Sequence, residues 1–357
     1  MTSTQVNPGK KLDLAGEVLI SADSHVMEPP NLWKDHLPAG LQDRAPVFPP
    51  RPPVGTGMAD HRPGGYDPTE RVKEMETDGV SAEVLYPTLG LRIFGIDDPE
   101  IQEASFTVYN DWLIDYCNVA PGRLVGIPCL SCFDIDQAVS ELERTNKAGL
   151  VGGLIWQVPH PNLPFSSEHY EPLWSKAEEM GVPIHLHILT GFDYSAMSRD
   201  GDRKDPIEGH RGSVNHKLNS ITNSLFDLIF TGVLERHPKL NIVIVESEIG
   251  WIPFTLQQWD YYYNRFIKER PVPITMPPSE YFNRQIYATF FNDAVGGQLL
   301  SWWGQDNCMW STDYPHPNSP WPNSRDVLAT NLGHLPMDTV RKLTRTTVEK
   351  LYPVTGG

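Results

Sequence analysis

Val182-Pro183-Ile184-His185-Leu186-His187 is a short apolar run that ends in two histidines. Successive side chains of a β-strand point to opposite faces, so His185 and His187 are predicted to share one face. In a parallel α/β barrel the carboxyl ends of all strands meet at one mouth, so distant strand ends can build one site. Three other apolar runs also end in residues that can bind metals. Residues 18–25 end with Asp23 and His25, residues 241–246 end with Glu246, and residues 307–313 end with Asp313.

The rest of the chain alternates strand-like and helix-like segments, a pattern typical of βαβ units and parallel sheets. Eight strand-like segments predict an α/β fold that closes into a (β/α)8 TIM barrel. The strands are predicted at residues 18–25, 82–87, 124–129, 152–157, 182–189, 241–246, 285–291 and 308–311. The helices are predicted at residues 69–79, 100–117, 135–147, 171–180, 220–236, 254–268, 294–303 and 337–351.

A single barrel domain is predicted over residues 17–357, preceded by a polar, flexible N-terminal tail over residues 1–16. A chain of 357 residues exceeds a typical domain, yet α/β barrels of this size occur as one unit. Two long inserts, 190–213 and 269–282, are rich in Gly, Pro and charged residues. Long loops in a compact domain are often lids or binding loops.

The charge balance indicates a small-molecule partner. The chain has 29 Lys and Arg against 45 Asp and Glu, a formal net charge of −16, which disfavours nucleic acid and anionic membranes as partners. Residues 1–11 lack the apolar core of a signal peptide, and no apolar run is long enough to span a bilayer, so a cytoplasmic location is expected. The Trp-rich segment 302–321 leaves room for a homodimer face.

Carboxylates and imidazoles that converge at a barrel mouth suit a divalent ion such as Zn, Mn or Fe. Such an ion can lower the pKa of water, polarise a carbonyl or hold a carboxylated substrate. One strand-end Asp or His alone is more often a hydrogen-bonded structural group. Four matching strand ends favour a metal site.

Three segments resemble the amidohydrolase-related family, the barrel group that contains aminocarboxymuconate semialdehyde decarboxylase and γ-resorcylate decarboxylase. They are Ala22-Asp23-Ser24-His25-Val26-Met27-Glu28-Pro29-Pro30-Asn31-Leu32-Trp33, Glu246-Ser247-Glu248-Ile249-Gly250-Trp251-Ile252-Pro253-Phe254 and Trp310-Ser311-Thr312-Asp313-Tyr314-Pro315-His316-Pro317. The resemblance covers residues 17–351 and implies a metal-dependent TIM barrel of the amidohydrolase superfamily.

The resemblance also implies a ligand set. It places the first-strand ligands at Asp23 and His25 and the eighth-strand ligand at Asp313. On the fifth strand the family's spacing favours His187, which leaves His185 as a hydrogen-bonded group, an outer-shell group or a further ligand.

The sixth strand departs from the family, since Glu246 stands where better-known members carry a catalytic His. An ionised carboxylate can accept a proton or bridge metals, but it cannot donate as an imidazole does. We therefore consider Glu246 both a metal ligand and a catalytic group.

Other residues have candidate roles around the ion. Asp313 is a catalytic candidate as well as a ligand, and His316 could orient it from the following turn. Arg92 and Trp251 are candidates for substrate binding, because Arg92 could grip a carboxylate and Trp251 could line the mouth. Glu28 could reach the mouth from the loop after the first strand, but it is expected rather to cap a helix or form a salt bridge.

Two chemistries fit this site equally well at the level of sequence. One is metal-dependent hydrolysis, and the other is nonoxidative decarboxylation of a small organic or aromatic acid. An alternative from another class is a nonheme diiron oxygenase built on the same barrel, because Asp23 and Glu246 enrich the site in carboxylates.

Overall fold

Eight parallel strands form the centre of the molecule, within a computed structural model that describes residues 12–49, 62–192, 207, 215 and 217–355. Each predicted strand is present, usually shorter than its apolar run. The strands are β1 (Ile20–His25), β2 (Ala82–Tyr86), β3 (Leu124–Gly126), β4 (Gly153–Ile155), β5 (Ile184–His187), β6 (Ile242–Val245), β7 (Ile286–Phe290) and β8 (Cys308–Trp310).

The strands pair in sequence order, as a TIM barrel requires. Two hydrogen-bonded ladders run β1-β2-β3 and β4-β5-β6-β7-β8, and every pair is parallel. Backbone hydrogen bonds bridge both gaps just beyond the strand ends. The Asp313 N–H donates to Asp23 O (3.0 Å), and the Leu154 N–H donates to Pro128 O (2.8 Å). The eight strands therefore close into the predicted barrel.

Helices follow the strands on the outside. They are α1 (Leu32–His36), α2 (Pro68–Asp78), α3 (Pro99–Cys117), α4 (Ile135–Lys147), α5 (Glu171–Met180), α6 (Lys217–Phe230), α7 (Val233–Arg236), α8 (Ile252–Phe266), α9 (Pro278–Gln285), α10 (Ala294–Leu299), α11 (Ser324–Asn331), α12 (Met337–Arg341) and α13 (Thr347–Leu351). Local signals set their ends. The Asp67 side chain accepts the Thr69 and Glu70 N–H groups at the start of α2, and Gly79 ends that helix with φ of 73°.

Three segments differ from the sequence prediction. The helix predicted at 220–236 is divided into α6 and α7, because Gly232 adopts φ of 78° between them. The insert predicted to be irregular at 269–282 contains the start of α9. The last helix contains a π-helical turn (Lys342–Thr346) between α12 and α13, and Tyr352 after it is buried.

The predicted N-terminal tail is only partly described, and residues 1–11 lie outside the described residues, as does most of the insert 190–213. Leu12 and Leu14 pack against the barrel core. Leu14 is buried, and the Leu12 N–H donates to Ala329 O. Their apolar side chains explain why this part of the predicted tail contacts the barrel. Among the described helices, none has both the length and the apolar character of a membrane span.

Candidate metal centre

The carboxyl ends of four strands bring five side chains to one point. Asp23 and His25 come from β1, His187 ends β5, and Glu246 and Asp313 follow β6 and β8. His25 Nε2 lies 3.5 Å from Asp23 Oδ1, 3.5 Å from Asp313 Oδ1 and 4.0 Å from Glu246 Oε2. His187 Nε2 lies 3.8 Å from Asp23 Oδ1 and 3.7 Å from Glu246 Oε2. The structure thus brings these predicted residues together.

The backbone is strained where two of these side chains leave their strands. Glu246 has φ of 56° and Asp313 has φ of 53°, and the neighbouring Leu189 and Glu248 also have positive φ. The left-handed region costs a residue with a side chain about 1–2 kcal/mol. Such strain tends to occur at functional sites, where the surrounding structure holds a side chain in a required direction.

Both strand-end imidazoles are held in the tautomer that a metal ligand needs. His25 Nδ1 is 2.8 Å from Pro87 O, and His187 Nδ1 is 2.7 Å from Ile188 O. A carbonyl oxygen can only accept, so Nδ1 carries the proton in each ring and Nε2 keeps its lone pair. Metal-binding histidines are usually oriented by such a bond to the other ring nitrogen.

The inward atoms lack hydrogen-bond partners. Among the described residues, nothing accepts or donates a hydrogen bond at Nε2 of His25 or His187, nor at either carboxylate oxygen of Asp23, although all three side chains are buried. An isolated buried polar group is costly, and buried polar atoms are nearly always partnered. A cation between these atoms would satisfy all of them.

Burial and charge act oppositely on the two imidazoles. Burial lowers the pKa of His25 well below its usual value, and the nearby rings of His316 and His187 lower it further. Burial also disfavours the charged form of His187, but Asp23 and Glu246 outweigh that effect and raise its pKa. The carboxylates thus create a demand for positive charge at this point.

His316 belongs to the same cluster. Its ring stacks on His25 with 3.9 Å between centroids, and its Nδ1 lies 2.8 Å from Asp313 Oδ1. Its Nε2 is 3.2 Å from Thr88 Oγ1, and burial lowers its pKa. Two overlapping groups could therefore hold an ion, one of Asp23, His25 and His187, and one of His25, Glu246, Asp313 and His316.

For His185 the contacts favour the role of a hydrogen-bonded group over that of a further ligand. Its Nε2 is 2.9 Å from the Tyr352 hydroxyl, and its Nδ1 is 3.4 Å from Gly153 O, so both ring nitrogens already have protein partners. Burial lowers its pKa to about 3, so the ring is neutral. His185 lies one layer below the metal candidates, because two residues along a strand move a side chain about 7 Å deeper into the barrel.

The two predicted substrate contacts lie after strands at the mouth. Arg92 is exposed on a 3-10 helix (Gly90–Gly95) that follows β2. Trp251 is half-buried before α8, and its indole N–H donates to Ser247 O (2.9 Å). Their contact with a substrate remains a prediction.

Sequence reasoning missed one supporting residue and anticipated the role of another. Thr88 contacts His316, but no local pattern links positions 228 residues apart. The Glu28 carboxylate is buried and accepts the N–H groups of Thr88, Leu89 and Gly90, which is the capping role expected for it.

Comparison with known proteins agrees with this architecture. The family model described as Amidohydrolase matches residues 22–354. A γ-resorcylate decarboxylase from Rhizobium sp. (strain MTP-10005) is 27% identical over 268 residues, which cover 69% of this chain and 75% of that protein.

Solved structures show the same fold. A crystal structure of an amidohydrolase from Mycobacterium avium subsp. paratuberculosis K-10 matches with a TM-score of 0.76 and 20% identity, covering 94% of this chain and 99% of that one. A dihydroxybenzoic acid decarboxylase from Polaromonas sp. JS666, solved with bound manganese and the inhibitor 2-nitroresorcinol, matches with a TM-score of 0.69 and 18% identity, covering 94% of this chain and 96% of that one.

Proposed function

Because this chain belongs to the amidohydrolase family and is an enzyme of that family, we propose that it removes the carboxylate of a small aromatic acid by metal-dependent, nonoxidative decarboxylation. Its similarity to a γ-resorcylate decarboxylase supports this choice over hydrolysis. The manganese in the dihydroxybenzoic acid decarboxylase structure supports a divalent ion. The oxygenase alternative has no support among these relatives.

The observation that carries the proposal is the set of buried, unpartnered atoms at the barrel mouth. Asp23, His25 and His187 offer oxygen and nitrogen atoms without hydrogen-bond partners among the described residues, and Asp313 approaches His25 to 3.5 Å. Mixed carboxylate and imidazole donors suit Mn, Zn or Fe. We propose that these four residues hold one ion.

The bound ion would supply Lewis acidity toward the carboxylate and a neighbouring oxygen of the substrate. The protein's own residues hold that arrangement. Pro87 O and Ile188 O fix the rings of His25 and His187, so Nε2 of each faces the site. Asp313 is fully buried and lies against His316. Its Oδ1 lies 2.8 Å from His316 Nδ1, so this imidazole borders the carboxylate.

Decarboxylation also needs a proton at the ring carbon that loses carbon dioxide. We propose that Glu246 delivers that proton in its acid form, after taking it up from solvent, because its side chain is 8% exposed whereas those of Asp23 and Asp313 are fully buried. A carboxyl group near the mouth can regain a proton from solvent after each turnover. Its Oε2 lies 3.7 Å from His187 Nε2, close to the ligand set.

The proposal is tested with enzyme stripped of metal and reloaded separately with Mn, Zn and Fe(II). It is incubated under argon, and separately in air, with a panel of hydroxybenzoates and, in parallel, with aryl esters and anilides. Release of carbon dioxide with formation of the corresponding phenol is expected, only in the reloaded enzyme. Cleavage of esters or anilides without carbon dioxide release would replace the proposal with hydrolysis, and product formed only in oxygen would replace it with an oxygenase.

A further inference from the structure

Glu28 is a fully buried carboxylate in the loop between β1 and α1. Its Oε2 accepts the N–H groups of Thr88 (3.2 Å) and Leu89 (2.9 Å), and its Oε1 accepts that of Gly90 (2.9 Å). A buried carboxylate is costly unless it is well bonded, and three charge-assisted bonds oppose that cost. Glu28 therefore fixes the backbone of residues 88–90.

The segment that Glu28 fixes supports two imidazoles of the metal centre. Pro87 O accepts from His25 Nδ1 (2.8 Å), and Thr88 Oγ1 lies 3.2 Å from His316 Nε2. His25 is the last residue of β1 and precedes Glu28 by three residues. The contacts thus form a closed ring, from His25 along the chain to Glu28, across to residues 88–90, and back through Pro87 to the His25 ring.

The close fit at Gly90 shows that the contact leaves little space. A Cβ atom placed on Gly90 would lie 3.1 Å from Glu28 Oε1 and 2.8 Å from Pro87 Cβ. Any side chain there would push the carboxylate or Pro87 aside. Gly90 thus gives a second way to disturb the same contact without altering the charge of Glu28.

We propose that Glu28 is a positioning residue that orients His25 and His316 by holding the segment Pro87–Gly90, and so sets the affinity and geometry of the metal centre. It acts through these two rings and does not touch the reacting atoms. The inference rests on the proposed metal site, and it goes beyond the ligand set itself. Outer-shell partners of this kind typically change metal affinity or activity roughly 10- to 100-fold.

The test compares wild type, Glu28→Gln and Gly90→Ala. Glutamine keeps the shape of the side chain, but its amide NH2 replaces one carboxylate oxygen and cannot accept a hydrogen bond from a backbone N–H. We expect the dissociation constant for Co²⁺ to rise roughly 10- to 100-fold in Glu28→Gln, with a changed visible absorption spectrum of the bound cobalt. We expect faster hydrogen exchange at the amides of residues 88–90, and changes in the same direction in Gly90→Ala.

Asp78→Asn is the matched control. Asp78 is also a buried carboxylate that accepts a backbone N–H, that of Ser324 at 2.8 Å, but it lies at the end of α2. We expect it to lower the melting temperature with unchanged cobalt affinity and spectrum. Equal effects of Asp78→Asn and Glu28→Gln on cobalt binding would overturn the proposal, because they would show a general loss of stability.

Two measurements separate this inference from the proposed function. Wild type that binds cobalt but releases no carbon dioxide would refute the decarboxylase and leave the test of Glu28 intact. If wild type binds no cobalt, ¹⁵N spectra of histidine-labelled protein test whether Glu28 orients the His25 ring. We expect the His25 ring in wild type to carry its proton on Nδ1 and to become a mixture of tautomers in Glu28→Gln. Identical histidine spectra and identical exchange at residues 88–90 would overturn the proposal.

Thr88→Val is the further variant should Glu28→Gln not fold. It removes only the hydroxyl contact with His316, at a half-buried position. We expect a smaller loss of cobalt affinity, with normal exchange at residues 88–90. A cobalt affinity equal to that of wild type would overturn the role assigned to this segment.

Discussion

His185 and His187 lie two residues apart on β5, and both are fully buried. Both ring nitrogens of His185 have partners, in Tyr352 and Gly153. His187 uses only Nδ1, and its Nε2 faces two carboxylates. The same residue type on the same strand thus serves packing in one layer of the barrel interior, and in the next layer it leaves a lone pair that can bind a metal ion. The difference shows that unmet hydrogen bonding, and not residue type or spacing, marks the functional layer.

The two ends of the barrel repeat this contrast. At the amino end, the Gln285 amide donates to His237 O (2.5 Å) and Leu240 O (2.9 Å), and the Asn307 amide donates to Ile286 O (2.8 Å). These bonds tie neighbouring strand entries together. At the carboxyl end, Glu246 and Asp313 take strained backbone conformations. These side-chain amides are therefore hydrogen-bonded at the amino end, whereas strained residues lie at the carboxyl end, where the active sites of TIM barrels are found.

The largest expected effect comes from placing the same substitution at both positions of β5. His187→Phe should raise the metal dissociation constant by more than the roughly 10- to 100-fold typical of outer-shell changes, and turnover should fall to background. His185→Phe should keep metal and activity but lose about 1–3 kcal/mol of unfolding free energy, since the Tyr352 hydroxyl loses its partner.

Elemental analysis measures the metal content of both variants, and denaturant unfolding measures their unfolding free energies. Unfolding is measured with chelator present, so that bound metal does not add to stability. Equal metal loss in the two variants would contradict the division of the barrel interior into a packing layer and a ligand layer.

The next effect concerns Glu246, to which we assign the proton. Glu246→Gln should retain one ion per chain while kcat falls by roughly two to four powers of ten, the usual range for general acid–base groups. Elemental analysis measures the number of ions per chain, and steady-state kinetics measures kcat. Two ions in wild type that fall toward one in the variant would instead indicate that Glu246 bridges two metals, as the diiron alternative requires.

The barrel and much of this centre could be predicted from sequence for clear physical reasons. Buried parallel strands are short apolar runs, so all eight could be found. Strand periodicity puts Asp23 and His25 on one face of β1, the shared mouth of a parallel barrel brings them near β5, and the family resemblance selects His187 there. Periodicity could not separate His185 from His187, because the partner of His185 is Tyr352, 167 residues away. The support of His316 by Thr88 is likewise a long-range contact, invisible to local patterns.

A smaller effect is expected at His316. His316→Phe keeps a flat ring that can stack on His25 but removes the contacts with Asp313 and Thr88. We expect kcat/KM to fall roughly 10- to 100-fold. Metal affinity should fall as well, because His316 lies against His25 and Asp313, and unchanged metal affinity would contradict the supporting role assigned to this ring. Activity equal to that of wild type would contradict any role for this ring.

The smallest effect is expected from a change at Glu171, which contacts the segment just before β6, at the amino end of the barrel. Glu171 Oε2 lies 2.8 Å from His237 Nε2, and Oε1 accepts from Arg236 (3.1 Å). Burial alone raises the pKa of Glu171, but Arg236 and His237 outweigh it and lower the pKa below 4.5. A lowered carboxyl pKa adds stability above the unfolded-state value, and that stability is lost as the pH falls through the folded-state pKa.

Glu171→Gln should therefore lower the unfolding free energy by about 0.5–1 kcal/mol at pH 7, because the carboxylate is partly exposed. The difference from wild type should shrink as the pH falls below 4.5, the ordinary value for this carboxyl group. Denaturant unfolding at several pH values measures it. Metal affinity and kcat should not change, since these bonds tie α5 to the segment before β6. A loss of metal affinity in this variant would mean that the two ends of the barrel are coupled, and the contrast between them would fail.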